Sequence, residues 1–393
     1  MSTRTRTLEK TVSVIGTGHT PFGRLADRSL EDLVTDVVTQ ALDDAQAGPD
    51  EIDAAFIGQF NSGLTPLAFP SSLVLQADER LHGTPVTRVE NACASGSAAV
   101  HQGIQAVLAG TARTVLVVGV EKMTHAPADL VGSALLGADY ELAGRESTTG
   151  FAGLFARVAQ AYAERYGDVS DAMAMVAAKN HANGVQNPWA QLRKDLGYEF
   201  CRTVSDRNPM VADPLRRTDC SPVSDGAAAL VLRAGADGGA LATVAGFGQA
   251  NDYLPMDRRD PVAFEATALS IARAMDMAGT TLEDLDLAEV HDCFTIAELV
   301  VYEAMGLTPR GEAGRAISEG WTQPDGRLPV NLSGGLKAKG HPVGATGVSQ
   351  HVLTTMQLSG RAGGMQLPRA DVGLVQNMGG LGVANYATVL RSA

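Results

Sequence analysis

The chain has 393 residues, 45% of them apolar, and sets 44 acidic against 31 basic side chains, a formal net charge of −13 at pH 7. A chain of this length and apolarity buries a large core and forms more than one lobe, and its acidity excludes a general nucleic-acid surface, which needs clustered Lys and Arg. The four cysteines, at 93, 201, 220 and 293, show neither a disulfide framework nor metal-ligand spacing, which fits a reducing compartment with the cytoplasm as default.

In chain order, Met1 to Thr7 reads as a short basic tail that lacks the apolar stretch of a secretory signal. Val14-Ile15-Gly16-Thr17-Gly18 follows a strand-like run and has the look of a dinucleotide fingerprint. The next glycine is Gly23, however, and Pro21 intervenes. The spacing fails, so a tight turn after the first strand is expected and no nicotinamide or flavin is implied. Apolar positions at helical spacing predict a helix over 30–45, followed by a short turn and a strand over 51–58. The segment Arg88 to Asn91 reads as a strand that passes through small residues into a helix over 98–108. Cys93 thus stands at an elbow before a helix N-terminus, where unpaired N–H groups and the dipole favour a thiolate. The run Val115 to Val120 is too short to cross a bilayer and suits a buried strand; no membrane anchor is expected.

From Met123 to Arg217 the character changes to Ala-rich helical runs over 156–165 and 171–181, with loop signals at Asn187-Pro188 and Asn208-Pro209. A strand over 227–233 resumes the earlier plan, which then repeats: a helix over 264–278, a turn and strand over 284–291, a glycine-rich elbow at His341 leading into a helix, and a strand over 372–376. Two copies of one strand–helix pattern imply an α/β protein of two similar halves. The expected divisions are 1–122 with 218–240 for the first half, 123–217 for an inserted domain, and 241–393 for the second half. The C-terminal Leu390-Arg391-Ser392-Ala393 is not a peroxisomal address.

Three separated blocks carry chemistry: Asn91-Ala92-Cys93-Ala94-Ser95-Gly96, His291-Asp292-Cys293-Phe294, and Gly340-His341-Pro342-Val343-Gly344. Taken singly, the cysteines suit core packing and the histidines a loop or a strand end. Together, Cys and His blocks flanked by permissive glycines form a pattern for acyl transfer through a thioester. With His-Ala-Asn-Gly at 181–184 and the stretch from Ala212 to Ala228, they make the chain similar nearly end to end to the thiolases, and within them to the branch of sterol carrier protein X and archaeal acetoacetyl-CoA thiolases.

That resemblance implies a thiolase fold, a five-layer α-β-α-β-α sandwich, with 123–217 as a loop domain covering the active site and much of the coenzyme A. It implies an acyl-CoA:acetyl-CoA C-acyltransferase, with acyl-CoA and coenzyme A as substrates and no permanently bound cofactor or metal. Cys93 is the expected nucleophile and His341 its base. Many thiolases place a second acid/base in a Cys-x-Gly motif near the C-terminus; here that segment reads Gln376-Asn377-Met378-Gly379-Gly380, with Asn377 at the cysteine's place. Cys293 is therefore the expected acid/base. His291 and His341 are expected to form one oxyanion hole, and the N–H groups of Cys93 and Gly379 the other. The resemblance further implies a homodimer or tetramer, and a small OB-fold, zinc-ribbon protein as a partner. Two other readings stand beside it: a ketosynthase-like condensing enzyme, against which Cys293 speaks because a decarboxylating condensation needs no such base, and a largely structural subunit of a thiolase/OB-fold complex.

Overall fold

The structure, a computed structural model, describes residues 10–235 and 239–393; the expected basic tail, Met1 to Thr7, lies outside them. The strands are β1 (Val12–His19), β2 (Ala54–Gly58), β3 (Val86–Val89), β4 (Thr114–Glu121), β5 (Met210–Ala212), β6 (Leu215–Arg216), β7 (Gly226–Ala234), β8 (Ala242–Asn251), β9 (Leu287–Glu289), β10 (Val372–Gly379) and β11 (Ala384–Ser392). The helices are α1 (Leu30–Ala45), α2 (Ser95–Ala109), α3 (Ala128–Leu136), α4 (Gly150–Tyr166), α5 (Ser170–Gln186), α6 (Gly197–Arg202), α7 (Glu265–Ala278), α8 (Thr295–Ala304), α9 (Ala313–Ser318), α10 (Gly335–Lys339) and α11 (Val343–Leu358).

The expected duplication is plain in the strand order. One half runs β3-β2-β4-β7-β1 and the other β8-β11-β10-β9, joined where β1 and β8 pair over two residues only, Ser13 with Thr243 and Val14 with Ala242. In the second half an isolated parallel bridge between Ala288 and Val330 takes the place of β3. The layers follow from the two-residue period of a strand. Leu116, Val118 and Val120 of β4 pack with Leu33, Val34, Val37 and Val38 of α1, while Val115 and Val117 pack with Val100, Ile104 and Val107 of α2 and Val348 and Val352 of α11. The run Val115 to Val120 is therefore apolar throughout because both faces of its sheet are covered. The two central helices lie close together: a Cβ on Gly96 of α2 would stand 2.8 Å from the Gly344 carbonyl oxygen and 2.9 Å from the Gly347 nitrogen at the start of α11. The outer helix α1 is set by a capping box between Ser29 and Asp32 and buries seven apolar side chains.

One expectation is overturned. Gly16 and Gly18 do not turn the chain after the first strand; they lie inside β1, where a Cβ would run into the carbonyl oxygens of Ala41 and Val37 on α1. Gly246 and Gly248 of β8 stand in the same way against Ala274 and Ser270 of α7. In each half a pair of alternate glycines lets the outer helix rest directly on the strand backbone.

Between β4 and β7 the chain leaves the sheet to form α3–α6 and the small β5–β6 pair. Among the described residues, no helix is long and apolar enough to cross a membrane.

Candidate active site

Cys93 lies two residues before α2, on a bend with Ala92 at φ 50°, in the left-handed region. A non-glycine residue is held there by local bonds: the Ser95 hydroxyl donates to the Ala92 carbonyl (2.6 Å), and the Asn91 amide N–H donates to Ser95 Oγ (2.9 Å). The Asn91 side chain donates in turn to the Tyr386 hydroxyl of β11 (2.7 Å), tying the elbow to the opposite sheet.

His341 sits just ahead of α11. Its backbone N–H donates to Ser224 Oγ (3.0 Å), and its ring Nδ1 lies 2.7 Å from Thr346 Oγ1. The Thr346 hydroxyl spends its own proton on the Pro342 carbonyl (3.1 Å), so it accepts from His341, whose proton is then on Nδ1 and whose Nε2 is a lone pair. The start of α11 is held by the buried carboxylate of Glu121, which accepts from the N–H groups of Gly344, Phe60 and Asn61 and which burial pushes up to about 7.

The His-Asp-Cys-Phe segment follows β9. The N–H of Val290 donates to Asn331 Oδ1 (2.8 Å) and that of His291 to Gln376 Oε1 (3.0 Å). Asp292 turns away from the site and caps α10, accepting from the Leu336 N–H (2.6 Å) and from Asn180 (2.8 Å). Asn377 of β10 places its amide nitrogen 2.8 Å from His291 Nδ1.

These elements bring the sequence's candidates together. A sulfur and two ring nitrogens, from Cys93, His291 and His341, all lie within 4.8 Å of one another, and the two rings stand edge-on with centroids 5.2 Å apart. Cys293 joins Cys93 and His341 in the wall of a cavity of about 200 Å³, otherwise apolar and lined by Met123, Leu135, Phe151, Val211, Phe294 and Val343 among others.

Gly379 lies against the Asn91 carbonyl, at the Cys93 elbow. The resting thiolate expected there is not favoured: burial pushes the Cys93 thiol up to about 12, outweighing the backbone N–H groups of Gly380 and of Cys93 itself. Burial likewise holds His341 down at about 3 and His291 well below its usual range, so both imidazoles are neutral, and it raises the Cys293 thiol well above the ordinary cysteine value.

Sequence reasoning left the coenzyme A contacts blank. The structure shows a cleft of about 920 Å³ lined by Arg24, Arg193, Lys194, Arg207, Arg217 and Lys337, among others, which shares Cys220 to Val223 with the catalytic cavity. The basic residues come from four separate segments, so no charge run along the chain marks them. Thr346, Ser224 and Glu121 were also missed: Ser224 and Glu121 act on residues 117 and 223 positions away, and the bond of Thr346 to His341, five residues back, depends on how α11 begins.

Comparisons with known proteins agree with this geometry. Residues 12–236 match the thiolase N-terminal domain and residues 248–392 the thiolase C-terminal domain-like family. The chain is 40% identical to the acetyl-CoA acetyltransferase of Methanothermobacter thermautotrophicus, covering 94% of this chain and 97% of that one, and 30% identical to sterol carrier protein 2 of Bos taurus, covering 98% and 73%. Among solved structures it resembles a chain of the Ltp2-ChsH2(DUF35) aldolase, with a TM-score of 0.81, 22% identity and 98% of each chain covered. Human mitochondrial 3-ketoacyl-CoA thiolase superposes with a TM-score of 0.73 at 18% identity, covering 98% of this chain and all of that one. From the duplicated sheet, the two domain matches and the length of these similarities, the chain belongs to the thiolase family and is an acyltransferase of that kind.

Proposed function

We propose that the protein is an acyl-CoA:acetyl-CoA C-acyltransferase that cleaves 3-ketoacyl-CoA or forms acetoacetyl-CoA through an acyl group on Cys93. The observation that carries this reading is the convergence of Cys93, His291 and His341 within 4.8 Å, with Cys93, Cys293 and His341 in the wall of one cavity. His341, with its lone pair at Nε2, removes the thiol proton as Cys93 attacks the acyl carbonyl, because a thiol near 12 is not ionised at rest. In cleavage the carbon attacked is the 3-keto carbon, which releases the acetyl-CoA enolate; in synthesis it is the thioester carbon, which releases coenzyme A. The tetrahedral oxyanion is held by the N–H groups of Cys93 and Gly379. Cys293 moves the α-proton; burial raises its pKa and keeps it a thiol at rest, the form that protonates the departing acetyl-CoA enolate in cleavage. His291 holds the enolate oxygen, and His341 joins it once its Nε2 has taken the Cys93 proton.

The basic cleft is the proposed seat of the coenzyme A phosphates, with the pantetheine arm passing Cys220 to Val223 into the catalytic cavity; residues 123–217 act as the domain that covers it. The acidic chain thus meets an acidic ligand through a local cluster of opposite charge. A homodimer is proposed, working in the cytoplasm in lipid or acyl-CoA metabolism; the four free cysteines favour a reducing compartment. Its likeness to a chain of the Ltp2-ChsH2(DUF35) aldolase also favours assembly with a small partner of that kind.

The test is a panel of 3-ketoacyl-CoA substrates cleaved with coenzyme A, read by loss of enolate absorbance, with mass spectrometry of the trapped acyl-enzyme. Turnover with the acyl group on Cys93 is expected. An adduct on another cysteine would overturn the assignment, and no turnover combined with tight binding of a co-expressed partner would favour the subunit reading.

A further inference from the structure

Two neutral imidazoles 5.2 Å apart face one substrate, and nothing in their identity says which accepts a proton and which donates a hydrogen bond. For His341 the Thr346 hydroxyl decides, leaving a lone pair at Nε2. For His291 the neighbour is Asn377, the residue at the place where many thiolases carry a cysteine. Its amide nitrogen, 2.8 Å from Nδ1, can only donate, so Nδ1 offers its lone pair and the single proton of the ring is at Nε2. With Nδ1 occupied, Nε2 is the atom left for a ligand beside Cys93 and His341. It is buried and has no hydrogen-bond partner among the described residues, the state of a donor kept for a ligand.

We infer that Asn377 is a positioning residue that fixes His291 as an N–H donor, so that this ring holds the substrate's enolate oxygen while its neighbour, of opposite tautomer, serves as the base. The inference rests on the thiolase reading of the site for the identity of the oxygen, though not for the position of the proton. The amide is held in a slot that only glycine leaves open: a Cβ on Gly347 would stand 2.6 Å from Asn377 Oδ1 and run into Ser97. A histidine donor at 291 needs a partner that donates to its other nitrogen, and Asn377 is placed to be that partner.

Two measurements test this on the full chain. Long-range 1H–15N correlation on protein labelled at histidine, with the His291 signals assigned by their loss in His291→Gln, is expected to show Nε2 protonated and Nδ1 bare. A proton on Nδ1 overturns the inference whatever the enzyme's activity, and the result stands even if the substrates have been misread. In Asn377→Asp the carboxylate can only accept. It draws the proton to Nδ1, and the Nε2 donor survives only while the ring is doubly protonated. Exchange of acetyl-CoA methyl protons relative to wild type is therefore expected to fall by about 10²–10³-fold at pH 8, the cost of one oxyanion donor, and the deficit to shrink as pH is lowered, with acylation of Cys93 within a few-fold of wild type.

The other titratable groups near the ring are His341, Lys339 and Cys93 from neighbouring elements, while Asp292 and Cys293 adjoin it in sequence, Asp292 turned away toward α10. All are common to both proteins, so the ratio isolates residue 377. A deficit that does not change with pH, or no deficit, overturns the inference.

Discussion

Cys293→Ala separates the two half-reactions. Cys293 is 5% exposed and lies in the wall of an existing cavity of about 200 Å³. Removing one sulfur there enlarges a space already open, and the loss of stability is expected near 1 kcal/mol, a typical value for single substitutions; the fold persists. Acylation is untouched in principle, because Cys93, its base His341 and the backbone at Gly379 are all in place. Return of the acyl group to coenzyme A is thus expected within about threefold of wild type, less than one decade of rate or 1.4 kcal/mol of barrier. Proton transfer at the acetyl methyl loses its proposed acid/base, and a positioned acid/base contributes about 10²–10⁴ in rate.

The assay is deuterium exchange into acetyl-CoA followed by NMR, beside transfer of a labelled acetyl group between coenzyme A molecules. The sign with pH follows from burial: the Cys293 thiol is raised well above its usual value, so the base form is scarce at neutral pH. Wild-type exchange should therefore climb as pH rises through 7 to 9, and the variant should lack that climb. Undiminished exchange in Cys293→Ala would mean that another group moves the proton. Equal slowing of both half-reactions would mean that Cys293 only packs against Phe294.

His341→Ala should slow acylation of Cys93 by about 10²–10⁴-fold, because a thiol near 12 has lost its base; rapid-quench mass spectrometry reads it, and an unchanged acylation rate would refute the role. Arg207→Glu in the basic cleft should raise KM for acetyl-CoA several-fold at low salt with kcat unchanged, and the difference should fade as salt screens the phosphates; equal KM values would move coenzyme A elsewhere. Gly16→Ala, remote from the site, should force α1 off β1 at a cost of about 1–3 kcal/mol, lowering the urea midpoint while leaving kcat alone; an unchanged midpoint would mean that the helix shifts freely. Light scattering at micromolar concentration should show at least a dimer, and a monomer would refute the assembly.

Much of the fold was written in local pattern. Helical spacing placed α1 at its observed ends and α7 within one residue, because an amphipathic helix repeats its apolar stripe however the rest of the chain packs. The run Val115 to Val120 announced a strand covered on both faces. Gly16 and Gly18 were misread as a turn because a glycine's reason there, the approach of α1, lies some twenty residues downstream and leaves no mark on its neighbours.

The site divides in the same way. Cys93, His291, Cys293 and His341 were legible because each block has few chemical uses and the three occur together. What those groups do at rest was decided only by tertiary structure. A helix N-terminus argues for a thiolate, yet burial removes the water that would stabilise it, and desolvation outweighs the nearby N–H groups. The clustering of Arg24, Arg193, Arg207, Arg217 and Lys337 needed the fold to bring distant segments to one cleft. The tautomers of the two histidines, finally, depend on single hydrogen bonds from Thr346 and Asn377, of which the second joins residues 86 positions apart. A sequence names the side chains that carry protons; which atom holds each proton depends on neighbours that only folding supplies.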